Sequence, residues 1–449
     1  MNHTNKTETQ HRADRELAAG FQLRSPHRPR QVVRPRSADE TAAAVTVARQ
    51  HGRRVVVQAT GHGRSEGADD VVLISTDRLT DVTIDARQRS ARVGAGAIWA
   101  DVLAATARHG LAPLSGSFPG VGVVGYTLGG GLGLLSRRYG YAADHVCAIE
   151  LITPDGHQHR VTGDPDEPDV DRELFWGLRG AGTNFGVVTA IEFDLFTEPT
   201  VVGGAVAFDL GAEPQILQAW KQWAEQQPED VLLAATLIPM PDAPGLPPHV
   251  RGRHVAQLQV CWPGPSDAGV DAALAELRAL GTPLTDTIRE LPYAESGSIF
   301  AEPDAPHAYR GSGWLLDEPP TRVFGSLPER CGPDADAMCI VGLRRLGGGM
   351  AAQPDQPNAI GHRDAGWSLN VLSPQDPDQV GDDGRVGASH RSILEPWQQN
   401  IIGRNLNFTF QPLTPDQVAE AYDPADMPRL RRLRETIDPD GILVPNQPL

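Results

Sequence analysis

The placement of glycine constrains this chain more than any other feature. Thr60-Gly61-His62-Gly63 follows directly on the apolar run Val55-Val56-Val57. Further along comes a second tract, Gly116-Ser117-Phe118-Pro119-Gly120-Val121-Gly122-Val123-Val124-Gly125-Tyr126-Thr127-Leu128-Gly129-Gly130-Gly131-Leu132-Gly133. Glycine has no Cβ, so its backbone reaches left-handed conformations and lets a ligand approach closely. Successive free amides in such a turn make a nest for anions such as a pyrophosphate. Read together, the tracts form a cradle for a large phosphate-bearing cofactor, with the His62 imidazole fixed between two glycines and aimed at it.

Two familiar phosphate loops do not fit. Gly120-Val121-Gly122-Val123-Val124-Gly125 matches GxGxxG. A dinucleotide fingerprint, however, follows a buried strand, opens a helix and has an acidic residue about 20 positions on. Here a loop containing Pro119 precedes it, and more glycines, poor helix formers, follow. No Gly-Lys-Ser/Thr occurs, so a Walker loop is absent. The tract is expected to run extended, with bare backbone lying against the ligand.

A chain of 449 residues exceeds one ordinary core, so two or three lobes are expected. The formal net charge of −17 argues against nucleic acid, which needs a Lys/Arg face, and favours solubility. Cys147, Cys261, Cys331 and Cys339 are too scattered for a disulfide framework and are read as reduced thiols. Residues 1–30 are polar, without the apolar core of a secretory signal, and are expected to be a flexible tail on a cytoplasmic chain. No window approaches the ~20 apolar residues of a membrane helix. No HExxH or paired Cys/His motif marks a metal site. Asn2-His3-Thr4 and Asn407-Phe408-Thr409 match the glycosylation pattern, which a cytoplasmic chain does not use.

Local patterns give the elements. Ser37-Ala38-Asp39-Glu40 is a capping box opening a helix that stops at Gly52. β-Branched runs predict strands at 55–59 and 71–75, a hairpin at 82–93, and strands at 147–153 and 158–162 around the turn Pro154-Asp155-Gly156. Helices are expected at 98–109 and 172–178, and a strand at 186–196. Beyond residue 200, strands at 201–208, 231–238, 254–262, 337–343 and 367–371 alternate with helices at 214–226 and 268–280. This order predicts an α+β protein: two lobes, the second a mainly antiparallel sheet covered by helices. Gln375–Gly387 reads as an acidic loop, and the tail from Leu430 as helical until Asp438-Pro439-Asp440-Gly441.

Several segments, in order, carry a resemblance. Val57-Gln58-Ala59-Thr60-Gly61-His62-Gly63 resembles an R-S-G-G-H segment. Pro119 to Gly133, then Tyr139-Gly140, resembles a glycine-rich FAD loop, and Asp144 begins the strand segment after it. Leu174-Phe175-Trp176-Gly177-Leu178-Arg179-Gly180-Ala181-Gly182-Thr183-Asn184-Phe185-Gly186-Val187-Val188-Thr189 resembles an L-F-W-A-x-R-G-x-G-x-N-F-G-I-V-T stretch. Asn405-Leu406-Asn407-Phe408 and Asp438-Pro439-Asp440 resemble a berberine-bridge-enzyme-like tail. Together they resemble the FAD-linked oxidases of the vanillyl-alcohol-oxidase and p-cresol-methylhydroxylase superfamily, berberine-bridge-enzyme-like group. The resemblance implies an FAD-binding domain of the p-cresol-methylhydroxylase type over 31–200, a substrate domain over 201–400, and a segment 401–449 returning to the first.

The same resemblance implies roles. His62 matches the histidine joined to the 8α-methyl of the flavin. The position of a second, cysteinyl tether is Phe118, so one tether is expected. Flavin contacts are implied at Val57, Gln58, Ala59, Thr60, Gly61, His62 and Gly63. The second tract contributes Ser117, Phe118, Val121, Gly122, Val123, Tyr126, Gly130, Gly131 and Gly133, followed by Tyr139, Gly140 and Asp144. The remaining contacts are Gly182, Asn184, Gly186, Val187, Val188 and Asn407. Val121 stands where small side chains admit oxygen. Tyr126 replaces a histidine near the ring, and Asn405 replaces the tyrosine of a Y-x-N pattern, which removes a phenolate base.

Hydride transfer to flavin also needs a group that takes the substrate's O–H or N–H proton. Tyr126 and His362, of Gly361-His362-Arg363-Asp364-Ala365, are the first candidates, followed by Tyr309-Arg310 and His254; Asn405 completes the catalytic set. Trp262, Trp314 and Trp367 read as core. The expectation is an oxidase that removes a hydride from a small organic substrate (an alcohol, an amine or a biosynthetic intermediate) and passes electrons to O2 to give H2O2. It would act as a monomer or homodimer, without nucleic acid or membrane. An oxygenase or oxidative cyclase, and a non-catalytic flavin carrier, are the alternatives.

Overall fold

A computed structural model describes residues 12–376 and 383–449. Asn2-His3-Thr4 and part of the expected acidic loop lie outside the described residues; the end of that loop belongs to the helix Asp383–Leu394.

Residues 12–30 correct the expectation of a loose tail. Residues 12–19 form helix α1. Arg64 anchors the turn after it, donating from Nε to the carbonyl of Ser25 at 2.7 Å and from Nη2 to that of Ala19 at 2.6 Å. Gln22 bridges to His307 and Arg28 to Asp69. A buried guanidinium needs acceptors, and the carbonyls of a folded-back segment supply them.

Next come β1 (Gln31–Val33), helix α2 (Ala38–Gln50), β2 (Val55–Gln58) and β3 (Val72–Ser75). The strands form a parallel sheet in the order β1-β3-β2. Ser37 caps α2 by accepting from the Glu40 amide at 3.2 Å. Glu40 completes a looser box, accepting from Arg36 N at 2.8 Å.

A five-stranded sheet follows in the order β4-β5-β8-β6-β7, built from β4 (Val82–Asp85), β5 (Ser90–Gly94), β6 (Val146–Ile152), β7 (Gln158–Thr162) and β8 (Val187–Asp194). Helix α3 (Trp99–Ala107) leads into the second glycine tract. That tract is not wholly extended: Gly122 is the N-cap of a short helix α4, Val123–Leu128, whose Val123, Val124 and Leu128 are buried in the core of this sheet.

The second lobe is one large sheet. Its strands are β9 (Thr200–Asp209), β10 (Leu232–Pro239), β11 (His254–Pro263), β12 (Thr285–Asp286), β13 (Arg289–Pro292), β14 (Ala308–Leu316), β15 (Ile340–Arg345), β16 (Trp367–Gln375) and β17 (Ile401–Arg404). The order is β12-β9-β11-β10-β15-β16-β14-β17, with β13 also on β9, and every pair is antiparallel. Strand β14, with its Gly311 and Gly313, was not expected from sequence.

Alternation gives this sheet two unlike faces. Leu233, Ala235, Leu237, Leu258, Val260, Val341, Leu343, Leu369 and Val371 point to one side, where the helices Ile216–Ala224 and Ala268–Arg278 cover them. Trp220 meets Trp367 edge to face at 5.7 Å, a geometry worth about 0.5–1.5 kcal/mol beyond the area buried. Trp262 and Trp367 are core, as expected, whereas half-buried Trp314 stacks on Arg404 at 3.8 Å. The other face carries Thr236, Gln257, Gln259, Gly342, Arg344, Ser368 and Asn370, in register across β11, β10, β15 and β16. Among the described residues no helix is long and apolar enough to cross a membrane.

Candidate active site

The two glycine tracts meet. A Cβ on Gly122 would lie 3.5 Å from the Ala59 methyl and 3.6 Å from Thr60 Oγ1, so the backbones are in near contact. The His62 ring stands at this junction. Its Nδ1 pairs with Thr60 Oγ1 at 2.8 Å, and its Nε2 is buried with no partner. Phe21 stacks on it at 3.8 Å, and Phe118 meets it edge-on at 5.4 Å. Burial first, and His307 second, hold the imidazole pKa down to about 4, so the ring is neutral near pH 7.

The backbone around His62 is clamped while its amides stay available. Tyr309 Oη donates to the His62 carbonyl at 2.6 Å. Asn446 Nδ2 donates to the Gly63 carbonyl at 2.7 Å, and its Oδ1 accepts from Ser65 N at 2.8 Å. The amides of Gly61, His62 and Gly63 have no acceptor among the described residues. Gly61 sits at φ +78, where a side chain would be strained.

Tyr126 is packed among glycines. Its ring fills a slot made by three glycines: a Cβ would lie 3.0 Å from the ring at Gly116, 2.7 Å at Gly131, and 2.7 Å from the hydroxyl at Gly133. The hydroxyl is buried and unpartnered, and burial raises its pKa well above the usual phenol value. The glycines here make room for a tyrosine as much as for a ligand.

His362 and Asn405 are also placed differently from expectation. His362 lies on a turn at φ +55, with Nε2 on the Glu420 carbonyl at 3.0 Å and its amide on Asp423 Oδ1 at 3.0 Å. Its neighbour Gly361 lines a small crevice with Gly129, Gly131, Tyr141, Asn405 and Asn407; His362 does not. Asn405 caps the turn Leu406–Phe408, its Oδ1 accepting from Asn407 N at 3.2 Å. The buried His254 packs beside Cys331 Sγ at 3.9 Å. Asn407 does reach the glycine tract, donating from Nδ2 to the Tyr126 carbonyl at 3.0 Å. A Cβ at Gly129 would collide with that amide.

The remaining expected contacts divide. Gly122 and Val123 line the junction's backbone, and Val121 holds Trp99 N through its carbonyl at 3.1 Å. Gly130 and Gly131, at φ +102 and +79, are turned by the need to pass Tyr126 and Tyr141. The side chain of Gln58 turns away, accepting from Arg64 Nη1 at 2.7 Å and donating to Leu17 O at 2.5 Å. Asp144 is committed to a buried pair with Arg363 at 2.6 Å and to Asn358 Nδ2 at 2.7 Å, with Gly140 packed against it. Tyr139 donates to Glu198 at 2.6 Å. Gly182 donates to Leu128 O, and Asn184 Nδ2 holds the carbonyls of Ala181 and Gln447 at 2.7 and 3.3 Å. Gly186 packs on Ile152, and Val187 and Val188 fill core positions below the tract while Val57 packs beside Val187.

Residues 29–162 match a family model described as an FAD binding domain. This segment is an FAD-binding domain. It contains both glycine tracts, His62 and Asp144. The chain is 29% identical over 284 residues to (R)-6-hydroxynicotine oxidase of Paenarthrobacter nicotinovorans, covering 61% of this chain and 58% of that protein. It is 28% identical over 227 residues to a chitooligosaccharide oxidase of Gibberella zeae, covering 49% and 45%. The matches thus span about half the length of these curated relatives. In fold, the chain is similar to 6-hydroxy-D-nicotine oxidase of Arthrobacter nicotinovorans, with a TM-score of 0.78 at 22% identity over 95% of this chain and 93% of that one. It is also similar to the berberine bridge enzyme of Eschscholzia californica, with a TM-score of 0.81 at 20% identity over 97% and 93%. The two-lobed α+β architecture is therefore the fold of these solved structures.

The FAD-binding domain suits its cofactor on chemical grounds. Free amides at residues 61–63 are donors for a pyrophosphate. The orphaned Nε2 of His62 is a buried polar atom of a kind that native structures normally satisfy. The polar face of the large sheet was missed from sequence. Its one signal was Gln257-Leu258-Gln259, two polar residues one apart in an otherwise apolar strand.

Proposed function

We propose that the chain is an FAD-dependent oxidase whose flavin is held covalently by His62 alone and whose substrate is a small organic molecule. Bound FAD would accept a hydride from the substrate and return the electrons to O2 as H2O2. The amides of Gly61, His62 and Gly63 would hold its pyrophosphate. His62, neutral through burial, keeps an unprotonated ring nitrogen available for a bond to the flavin 8α carbon. Phe118 meets the edge of the His62 ring and has no thiol to form a second bond. Asn407 fixes the Tyr126 carbonyl and so the curve of the tract. The Thr236, Gln257 and Asn370 face of the large sheet supplies neutral hydrogen-bonding groups towards the substrate.

The observation that carries this reading is the unpartnered Nε2 of His62 at the junction of two glycine tracts. Acid precipitation of the purified protein tests it. Yellow colour is expected in the wild-type pellet and in the supernatant of His62→Ala. Wild-type colour in the supernatant would refute the tether, and a colourless protein would refute the FAD reading. Peroxide release on screening alcohols and amines tests the oxidase activity; turnover that incorporates labelled O2 into product would overturn it.

A further inference from the structure

Arg344 on β15 is a buried cation without a counter-charge. It is 6% exposed, and among the described residues no carboxylate lies within ion-pair distance of it. Among the described residues its side chain makes one hydrogen bond, from Nη2 to Ser117 Oγ at 3.1 Å, next to Phe118 in the glycine tract. The rings of Phe300 and Phe408 flank the guanidinium, at 4.8 and 5.0 Å from its carbon. The residues opposite it are Ala234 and Ser368, with Gly342 two positions before it on the strand, so its neighbours on the sheet are small. Arg363 pairs with Asp144 and Arg64 with carbonyls, while buried Arg137, its Nε unpartnered, gives one bond to the Val231 carbonyl at 2.9 Å. Exposed Glu302 acts on Arg344 without forming an ion pair with it.

A guanidinium has five N–H donors and stays charged, so burying one with a single bond is unfavourable unless a ligand completes it. Its planar fork matches a carboxylate. A lone fixed charge matches a monoanion, whereas a phosphate dianion would call for a second cation. The surrounding charge, −17 overall, gives no broad positive field, so selection for an anion would rest on this one group. We propose that Arg344 is a specificity residue that receives the carboxylate of the substrate, between Phe300 and Phe408. The substrate class is then a small organic acid whose oxidisable carbon lies toward the glycine tract. This inference rests on the oxidase reading of the same site.

Titration of the holoprotein with benzoate, and with benzamide as its uncharged control, tests the proposal by flavin difference absorbance and by calorimetry. Saturable benzoate binding is expected, at least tenfold tighter than benzamide. Arg344→Met should weaken benzoate at least tenfold with flavin content unchanged. Arg344→Lys, which keeps the charge and is the more conservative change to a fold, should weaken it less than Met and should not restore it. No saturable benzoate binding by wild type, or equal binding by Arg344→Met or Arg344→Lys, overturns the proposal. A loss of sulfite affinity at the flavin in Arg344→Met, with benzoate affinity unchanged, would assign the charge to the cofactor and also overturn it. If the protein carries no flavin, the oxidase reading fails by itself. The calorimetric comparison of wild type with the variants still decides whether Arg344 binds a carboxylate.

Discussion

The imidazole of His62 lies face to face with the phenyl ring of Phe21, centroids 3.8 Å apart and planes 18° apart. A residue from the segment before β1 therefore covers the group proposed to hold the flavin. Stacks of this kind contribute about 0.5–1.5 kcal/mol beyond buried area. Phe21→Ala should lower the flavin-to-protein absorbance ratio, because water reaches the ring. Unchanged flavin content in Phe21→Ala would show that this cover does not matter to the site.

Acid should destabilise the fold well above the carboxylate range. His27, His254 and His390 are all held down to about 4, by burial first. The unfolded chain takes up these protons from about pH 6.5 downward, while the folded chain refuses them until about pH 4. Their stability contribution is whole above 6.5 and falls progressively toward 4, by up to about 1.4 kcal/mol per pH unit for each histidine. At His145 the lowering by burial is outweighed by its bond to Asp194, so it opposes the trend at one site only. Thermal melts between pH 7.5 and 4.5, as chosen conditions, should show a Tm that drops across this window and drops less steeply in His27→Gln. A flat profile contradicts the argument.

Tyr126→Phe removes a buried hydroxyl that has no partner. Such a group costs about 1–3 kcal/mol when left unsatisfied. The variant should melt at the same temperature as wild type or higher, with kcat within about twofold, the range expected when no proton-transfer role is lost. A drop in kcat of a hundredfold, with flavin retained, would restore the tyrosine as the catalytic base.

Asp144→Ala should be strongly destabilising, because it leaves the Arg363 guanidinium buried and unpaired. Both partners are 7% exposed on their side chains and 2.6 Å apart. Breaking a buried pair from one side costs about 3–5 kcal/mol. Denaturant melts of Asp144→Ala and of the double variant Asp144→Ala/Arg363→Met should place the double variant nearer wild type. Additive losses would mean that Asp144 serves something other than Arg363.

Local chemistry was legible where it is self-contained. The cap at Ser37, the strands Val55–Gln58 and Gln158–Thr162 and the strand His254–Pro263 follow from neighbouring residues alone. The glycine tract misled in part. Val123, Val124 and Leu128 have a core to enter, and that burial outweighs the helix-weakening glycine at position 125. Candidates chosen for their chemical type were the least reliable. Tyr126 and His362 are reactive in kind, yet one is enclosed by packing and the other bonded to a distant residue.

By itself the sequence determined that His62 lies between glycines after a strand, that no cysteine stands at Phe118, and that a helix-covered sheet follows residue 200. These are properties of short windows, fixed by backbone freedom and side-chain period. The tertiary structure alone decided that Phe21 covers His62, that Asn446 clamps Gly63, and that Arg344 reaches Ser117 from another sheet. Those contacts join residues far apart in the chain. Whether a polar group is free or satisfied depends on partners that no local pattern names.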